Sequence, residues 1–266
     1  MAIITLLTDF GQESFFPAAM KGVIMGLCPE ARIVDITHAV PEHDIVAGGY
    51  ALYATYRNFP PGTVHVAVVD PGVGTERTIV AVRMHGYTFL TPDNGLMSFL
   101  LKSETPEAIY TVENRALMAP KISPTFHGRD IFAHVAAHLA CGVPIEQVGP
   151  RRRELIRLHI SSAHVGDGVI DGEVVSIDRF GNLVTNIRGD LLPADPARRA
   201  EVVVTMSGHV ISGIKSTYAD VGLGQLVAYI GSSGLLEIGR NRGSARDVLG
   251  AGIGHPNKVN LKPAGK

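Results

Sequence analysis

The stretch His65 to Arg77, HVAVVDPGVGTER, decides the fold. Four apolar residues, Val66, Ala67, Val68 and Val69, end abruptly in a carboxylate, Asp70. A short apolar run bounded by Gly and Pro predicts a strand buried on both faces of a parallel sheet. In open α/β sheets the chemistry sits at the carboxyl ends of such strands. Gly72 and Gly74 then allow a tight turn and a close backbone approach. An aspartate that only caps its own turn fits the same residues.

Outward from this stretch, apolar runs and amphipathic segments alternate. Strands are expected at 3–7, 32–36 and 64–69, and helices at 18–27, 44–59 and 130–140. A hairpin is expected from 78–82 and 88–90, followed by the turn Pro92-Asp93-Asn94-Gly95. The alternation predicts an α/β domain over 1–150 with helices on the faces of a mostly parallel sheet. A linker is expected at 151–166. Over 167–266 the texture changes to short β-rich runs (169–177, 183–187, 201–206, 209–211, 225–230, 235–238) separated by Gly, Ser and Asn, with one short helix at 244–249. Such spacing predicts a smaller antiparallel β-barrel.

The 266 residues carry 24 basic and 25 acidic side chains, a net charge of −1. That balance argues against a nucleic-acid or membrane-surface binder. The run Arg151 to Arg153 reads as a solvated face. No apolar run approaches the ~18 residues of a transmembrane helix. The start, MAIITLLTDFG, has no basic segment and no cleavage site, so a soluble cytoplasmic protein is expected. Cys28 and Cys141 offer neither a disulfide framework nor metal-knuckle spacing and read as buried small apolar residues.

Asp9 ends the first strand as Asp70 ends the third, and two such carboxylates can face one crevice and bind the vicinal hydroxyls of a ribose. His127 stands in the Gly-flanked loop Phe126-His127-Gly128-Arg129-Asp130, with Asp130 placed to cap a helix. His134 and His138 are one helical turn apart, but no third metal ligand is evident. In the second half, Asp178-Arg179-Phe180-Gly181-Asn182 suits either a turn or a polar cradle, with Asp178 for an ammonium, Asn182 for amide hydrogen bonds and Phe180 for stacking. Ser232-Ser233-Gly234 with Glu237, Arg240 and Asn241 forms a second polar cluster, in which Arg240 could clamp a carboxylate. There is no P-loop, no complete Gly-x-Gly-x-x-Gly, no nucleophile elbow and no zinc helix motif.

Together these motifs resemble the S-adenosyl-L-methionine (SAM) hydroxide adenosyltransferase family, hydrolases related to fluorinase and chlorinase. The matching stretches are Thr8-Asp9-Phe10-Gly11, Met20-Lys21-Gly22, Val69 through Thr75, Pro92 through Gly95, Phe126 through Asp130, Asp178 through Asn182, and Ser232 through Asn241. They stand in family order and cover nearly the whole chain. The resemblance implies a homotrimer whose sites lie at subunit interfaces. It implies hydrolysis of SAM to adenosine and methionine, with SAM as substrate, no cofactor and no metal. It places the water-handling set on Asp70, Arg77 and His127, the ribose contact on Asp9, and the methionine and adenine contacts on Asp178, Phe180, Asn182, Ser232, Glu237 and Arg240. Two departures stand out. Ser14-Phe15-Phe16 replaces an Asp-Pro-Tyr-like stretch. Asp70-Pro71-Gly72-Val73 stands where halogenases carry Tyr-Pro-Ala-Thr-like residues, and a carboxylate beside the nucleophile disfavours a halide. The rival readings are a halide-using adenosyltransferase and a non-catalytic binding module for SAM or adenosine.

Overall fold

The structure is a computed structural model that describes residues 2–261. The chain divides into two compact units, Met1–His159 and Ile160–Lys266.

The first unit runs β1 (Ile3–Thr8), α1 (Phe16–Leu27), β2 (Arg32–Thr37), α2 (Ile45–Thr55), β3 (Val64–Val68), β4 (Ile79–Met84), β5 (Tyr87–Pro92), β6 (Ala108–Thr111), α3 (His134–Ala140) and β7 (Arg151–Arg152). The sheet order is β2-β1-β3-β5-β4-β6-β7. The pairs β1–β2, β1–β3 and β3–β5 are parallel, whereas β4 pairs antiparallel with β5 and β6, and β6 antiparallel with β7. The expected mostly parallel sheet is therefore a mixed one. Its parallel part comes from the helix-linked strands. A two-residue turn, His85-Gly86, joins β4 to β5, and a tight turn forces antiparallel pairing.

Alternation along the strands separates two faces. Ile4, Leu6, Val64, Val66 and Val68 share a core with Met20 and Ile24 of α1 and with Val135, Ala136 and Ala137 of α3. Leu7, Ala67 and Val69 point the other way, into a core with Leu52 of α2. The chain steps from β1 to β2 on one side and returns to β3 on the other. The gap beyond the carboxyl ends of β1 and β3 is thus the topological switch point of the sheet.

The expected helix at 44–59 is α2 followed by one helical turn, Tyr56–Asn58. Asp44 caps α2 by accepting a hydrogen bond from Ala47 N at 2.9 Å. The expected helix at 130–140 begins earlier, as a π-helical stretch Gly128–Ala133 that runs into α3. Cys28 and Cys141 are disulfide-bonded, with Cα atoms 5.9 Å apart. The two residues cap the C-termini of α1 and α3, which pack side by side, and this meeting of helix ends was not legible in their spacing of 113 residues.

The second unit contains β8 (His164–Gly166), β9 (Val169–Ile177), β10 (Leu183–Arg188), α4 (Pro196–Ala200), β11 (Val203–Met206), β12 (His209–Ser212), β13 (Ile214–Lys215), β14 (Leu226–Ile230), β15 (Leu235–Arg240), α5 (Ala245–Leu249) and β16 (Pro256–Asn260). Its sheet runs β12-β11-β16-β9-β10-β15-β14-β13, with β8 on β9. The two ends of that order, β12 and β13, are separated in the chain by Gly213 alone, whose φ is +74°. A sheet whose first and last strands are consecutive must curl back on itself, giving a nearly barrel-shaped sheet. β13 and β14 pair parallel, while the other pairs are antiparallel. Leu183, Ile187, Val204, Ile211, Ala228, Leu236, Ile238 and Val259 fill its interior.

Candidate active site

Asp9 follows β1 directly, and Asp70 follows β3 after Val69. β1 and β3 pair in parallel register from Ile4↔Val64 to Thr8↔Val68, which brings both carboxylates to one sheet edge. Alternation directs Asp70 to the face that carries Val66 and Val68, on which α3 packs. His127 immediately precedes the π-helical entry to α3, so its loop reaches the same place.

The turn after Asp70 is held by Val73 N to Asp70 O (3.2 Å), Thr75 N to Gly72 O (3.1 Å) and Thr75 Oγ1 to Gly72 O (2.7 Å). It folds Arg77 back onto Asp70. Arg77 Nε donates to Asp70 Oδ1 at 2.9 Å and Oδ2 at 2.8 Å, and Nη2 donates to Oδ2. The pair is deeply buried, with side chains 4% and 11% exposed. Arg77 Nη2 also lies 2.8 Å from His127 Nδ1. A guanidinium cannot accept a hydrogen bond, so Nδ1 is the acceptor, and neutral His127 carries its proton on Nε2. Burial, and next the Arg77 charge, lower the His127 pKa below its ordinary 6.5. Neutral His127 is therefore a hydrogen-bond donor through Nε2.

Asp70, His127 and Asp9 line one cavity of about 300 Å³, together with Phe10, Phe16, Phe126 and His43. Asp9 Oδ2 accepts from His43 N at 3.0 Å, and His43 sits at φ +63° to make that bond. Phe16 packs edge-to-face on Phe126 (centroids 4.7 Å) and on Phe10 (5.7 Å). The Ser14-Phe15-Phe16 departure thus supplies an aromatic wall. Glu42 and His43, also in the lining, escaped the sequence reading because loop 41–44 carries no motif of its own.

Other predicted motifs turn out to support this geometry. Asn94 Nδ2 donates to Val69 O at 2.8 Å, clamping the backbone next to Asp70. Asp93 pairs with Arg152 at 2.9 Å. Asp130 accepts from Ser123 N at 2.7 Å and from Arg129 Nε at 2.6 Å, so it ties down the loop before His127. Burial lowers the His134 pKa, with His138 adding to the effect. Among the described residues no group of three or more His, Cys, Asp and Glu could hold a metal ion.

In the second unit, Phe180, Asn182 and Arg240 line one depression of about 520 Å³, with Tyr218, Asn241, Arg242 and Gly243. Phe180 is 77% exposed and offers a free ring face. Arg240 is anchored by Nε to Gly224 O at 2.8 Å. Asp178 joins this group through Asn182. Its Oδ1 accepts from Phe180 N (2.8 Å) and Asn182 N (2.9 Å), and its Oδ2 from Asn182 Nδ2 (2.7 Å). The stretch forms the turn foreseen for it, closed by these hydrogen bonds onto Asp178. Glu237 accepts from Tyr229 OH at 2.7 Å, and Ser232 is exposed in the turn between β14 and β15, outside the lining.

Comparison with known proteins identifies the family. Residues 4–149 match the model of the SAM hydroxide adenosyltransferase N-terminal domain, and residues 172–258 that of the C-terminal domain. A protein of Thermus thermophilus named (R)-S-adenosyl-L-methionine hydrolase is 39% identical over 97% of this chain and 100% of its own length. A fluorinase of an Actinoplanes species is 30% identical over 90% of this chain and 91% of its own. The crystal structure of an uncharacterized conserved protein from Thermotoga maritima superposes with a TM-score of 0.91 at 37% identity, covering 97% of this chain and 99% of that one. By sequence across both units and by fold, the chain belongs to the SAM hydroxide adenosyltransferase family.

Proposed function

We propose that the protein is a metal-independent hydrolase that cleaves S-adenosyl-L-methionine with water to adenosine and L-methionine, without a cofactor. The observation that carries this reading is the linked Asp70–Arg77–His127 set, of which Asp70 and His127 line the cavity, in a chain that aligns over 97% of its length with a named (R)-S-adenosyl-L-methionine hydrolase. The relative's name supports the (R) sulfonium epimer as substrate.

In the reaction a water oxygen bonds to ribose C5′ as the C5′–S bond breaks. The bond pair moves to sulfur, which leaves as the neutral thioether of methionine, so no acid is required at the leaving group. The water must lose a proton. Asp70 accepts it, His127 Nε2–H fixes the orientation of the water, and Arg77 stabilises the hydroxide character that develops. Asp9 binds the ribose hydroxyls. Asp178, Phe180, Asn182, Ser232, Glu237 and Arg240 serve the adenine and methionine ends. A carboxylate where the nucleophile must stand repels halide ions and favours water.

We further propose a homotrimer acting in the cytoplasm, with its sites at subunit interfaces. Light scattering is expected to give three times the mass of the chain, and a monomeric active enzyme would refute the trimer. Chromatography of the purified protein incubated with SAM is expected to show adenosine and methionine in equal amounts. SAM that binds but survives would instead support the non-catalytic module.

A further inference from the structure

In the second unit a chain of side-chain hydrogen bonds connects two carboxylates. Asn182 Nδ2 donates one hydrogen to Asp178 Oδ2 at 2.7 Å and the other to Tyr218 OH at 3.1 Å. Tyr218 OH lies 2.6 Å from Tyr229 OH, and Tyr229 OH donates to Glu237 Oε2 at 2.7 Å. With Tyr229 donating onward, Tyr218 must be the donor in the Tyr218–Tyr229 bond, so the hydrogens run one way from Asn182 to Glu237. Tyr229 and Glu237 are directly opposed on β14 and β15, and the two tyrosine rings meet edge-on with centroids 4.9 Å apart. Gly239 leaves room for the array: a Cβ there would stand 2.7 Å from Asn182 Oδ1 and 2.7 Å from Tyr218 Cε1. The chain joins the β9–β10 turn, the turn Tyr218–Asp220 and the β14–β15 hairpin.

Both amide hydrogens of Asn182 are thereby engaged inside the protein. The hydrogen-bonding capacity left on that side chain is its carbonyl oxygen, an acceptor.

We infer that Tyr218, Tyr229 and Glu237 form a positioning relay that fixes the Asn182 amide, so that this depression recognises a ligand group bearing an N–H donor. The inference rests on the function proposed above, because SAM carries two such groups, the exocyclic amine of adenine and the ammonium of its amino-acid end. Tyr218 and Tyr229 act through Asn182 and are not catalytic residues.

Kinetics with Tyr218→Phe, Tyr229→Phe and the double variant test the relay. Tyr218→Phe is expected to raise the KM for SAM roughly tenfold, the size of one hydrogen bond, with kcat within about twofold of wild type. Tyr229→Phe is expected to act in the same direction, and the double variant to be no worse than the poorer single one, because the residues belong to one unit. Unchanged KM, a fall confined to kcat, or additive effects would overturn the relay. SAM analogues carrying oxygen in place of the adenine amine, or lacking the ammonium, identify the donor. Wild type is expected to discriminate against one of them, and Tyr218→Phe to lose that discrimination. Equal discrimination by both proteins would contradict the inference. NMR exchange of the Asn182 side-chain amide hydrogens needs no substrate. It is expected to be at least about tenfold faster in Tyr218→Phe, and equal rates would overturn the relay even if the wild type proved inactive on SAM.

Discussion

Asp70, Arg77 and His127 are linked into one hydrogen-bonded unit, with the guanidinium between the other two. Truncating Arg77 leaves the buried Asp70 carboxylate unpaired, a change that costs about 3–5 kcal/mol in comparable sites. Arg77→Ala is therefore expected to lower both thermal stability and turnover. Asp70→Asn preserves shape while removing the proton acceptor, and a loss of roughly 10²–10⁴-fold in kcat with binding largely kept is the expected result. Calorimetric binding beside single-turnover assays separates the two effects. The pH dependence follows from His127. Its pKa is lowered in the fold, so the neutral form is favoured, and its contribution to stability is present above pH 6.5 and lost as pH falls through the folded value. Activity is expected to hold at pH 7 and to decline with an inflection below 6.5. Arg77→Ala should move that inflection upward, since one cause of the lowering is removed. An inflection above 6.5 in the wild-type profile would contradict the assignment. Asp9 and Asp70 were legible in the sequence because each ends an apolar run with a charge. The contact from Arg77 to His127 was not, because it spans 50 residues and depends on a folded turn. Tyr229 was hidden for another reason: it sits within an apolar run and reads as core.

Two elements hold the site in register, and each can be perturbed alone. Gly74, at φ +79°, lets the turn after Asp70 approach the loop before His127 so closely that a Cβ would clash with Pro124 O. Gly74→Ala combines backbone strain with that clash and should push loop 124–127 away from Arg77. A fall in kcat larger than the accompanying change in thermal midpoint is expected, and unchanged kcat would show that the approach is not needed. The Cys28–Cys141 bond staples the ends of α1 and α3, the helices packed beneath the cavity. Closing a loop of this size is worth up to about 4–5 kcal/mol on the chain-entropy view. Thiol titration of the unfolded, unreduced protein should find no free thiol, and Cys141→Ser should unfold earlier in denaturant. The strands of the first unit were foreseeable because apolar runs bounded by Gly and Pro mark them. The hairpin expected from 78–82 and 88–90 is the antiparallel pair β4–β5, whereas β6, a four-residue strand that pairs antiparallel with β4, was not foreseen and makes the sheet mixed. β7 and β13, two residues each, are too short to leave any periodic signal. The π-helical entry at Gly128 was equally silent, because its residues suit an ordinary helix.

At the scale of the whole molecule, the two units carry different side-chain chemistry. The first brings carboxylates, a guanidinium and an imidazole to the switch point of a mixed sheet. The second presents an arginine, an exposed ring and a fixed amide on a curled sheet. Family membership spans both units, and the kinship extends to fluorinases, which places the choice of nucleophile at the centre. In the proposed mechanism the charge of Asp70 makes that choice, so added chloride should leave the product unchanged. The most direct measurement is mass spectrometry of the products formed from SAM in ¹⁸O-labelled water containing chloride. Water attack at C5′ is expected to give adenosine carrying one ¹⁸O in its 5′-hydroxyl, with unlabelled methionine. Unlabelled adenosine, or 5′-chloro-5′-deoxyadenosine as the main product, would contradict hydrolysis by a water held at Asp70.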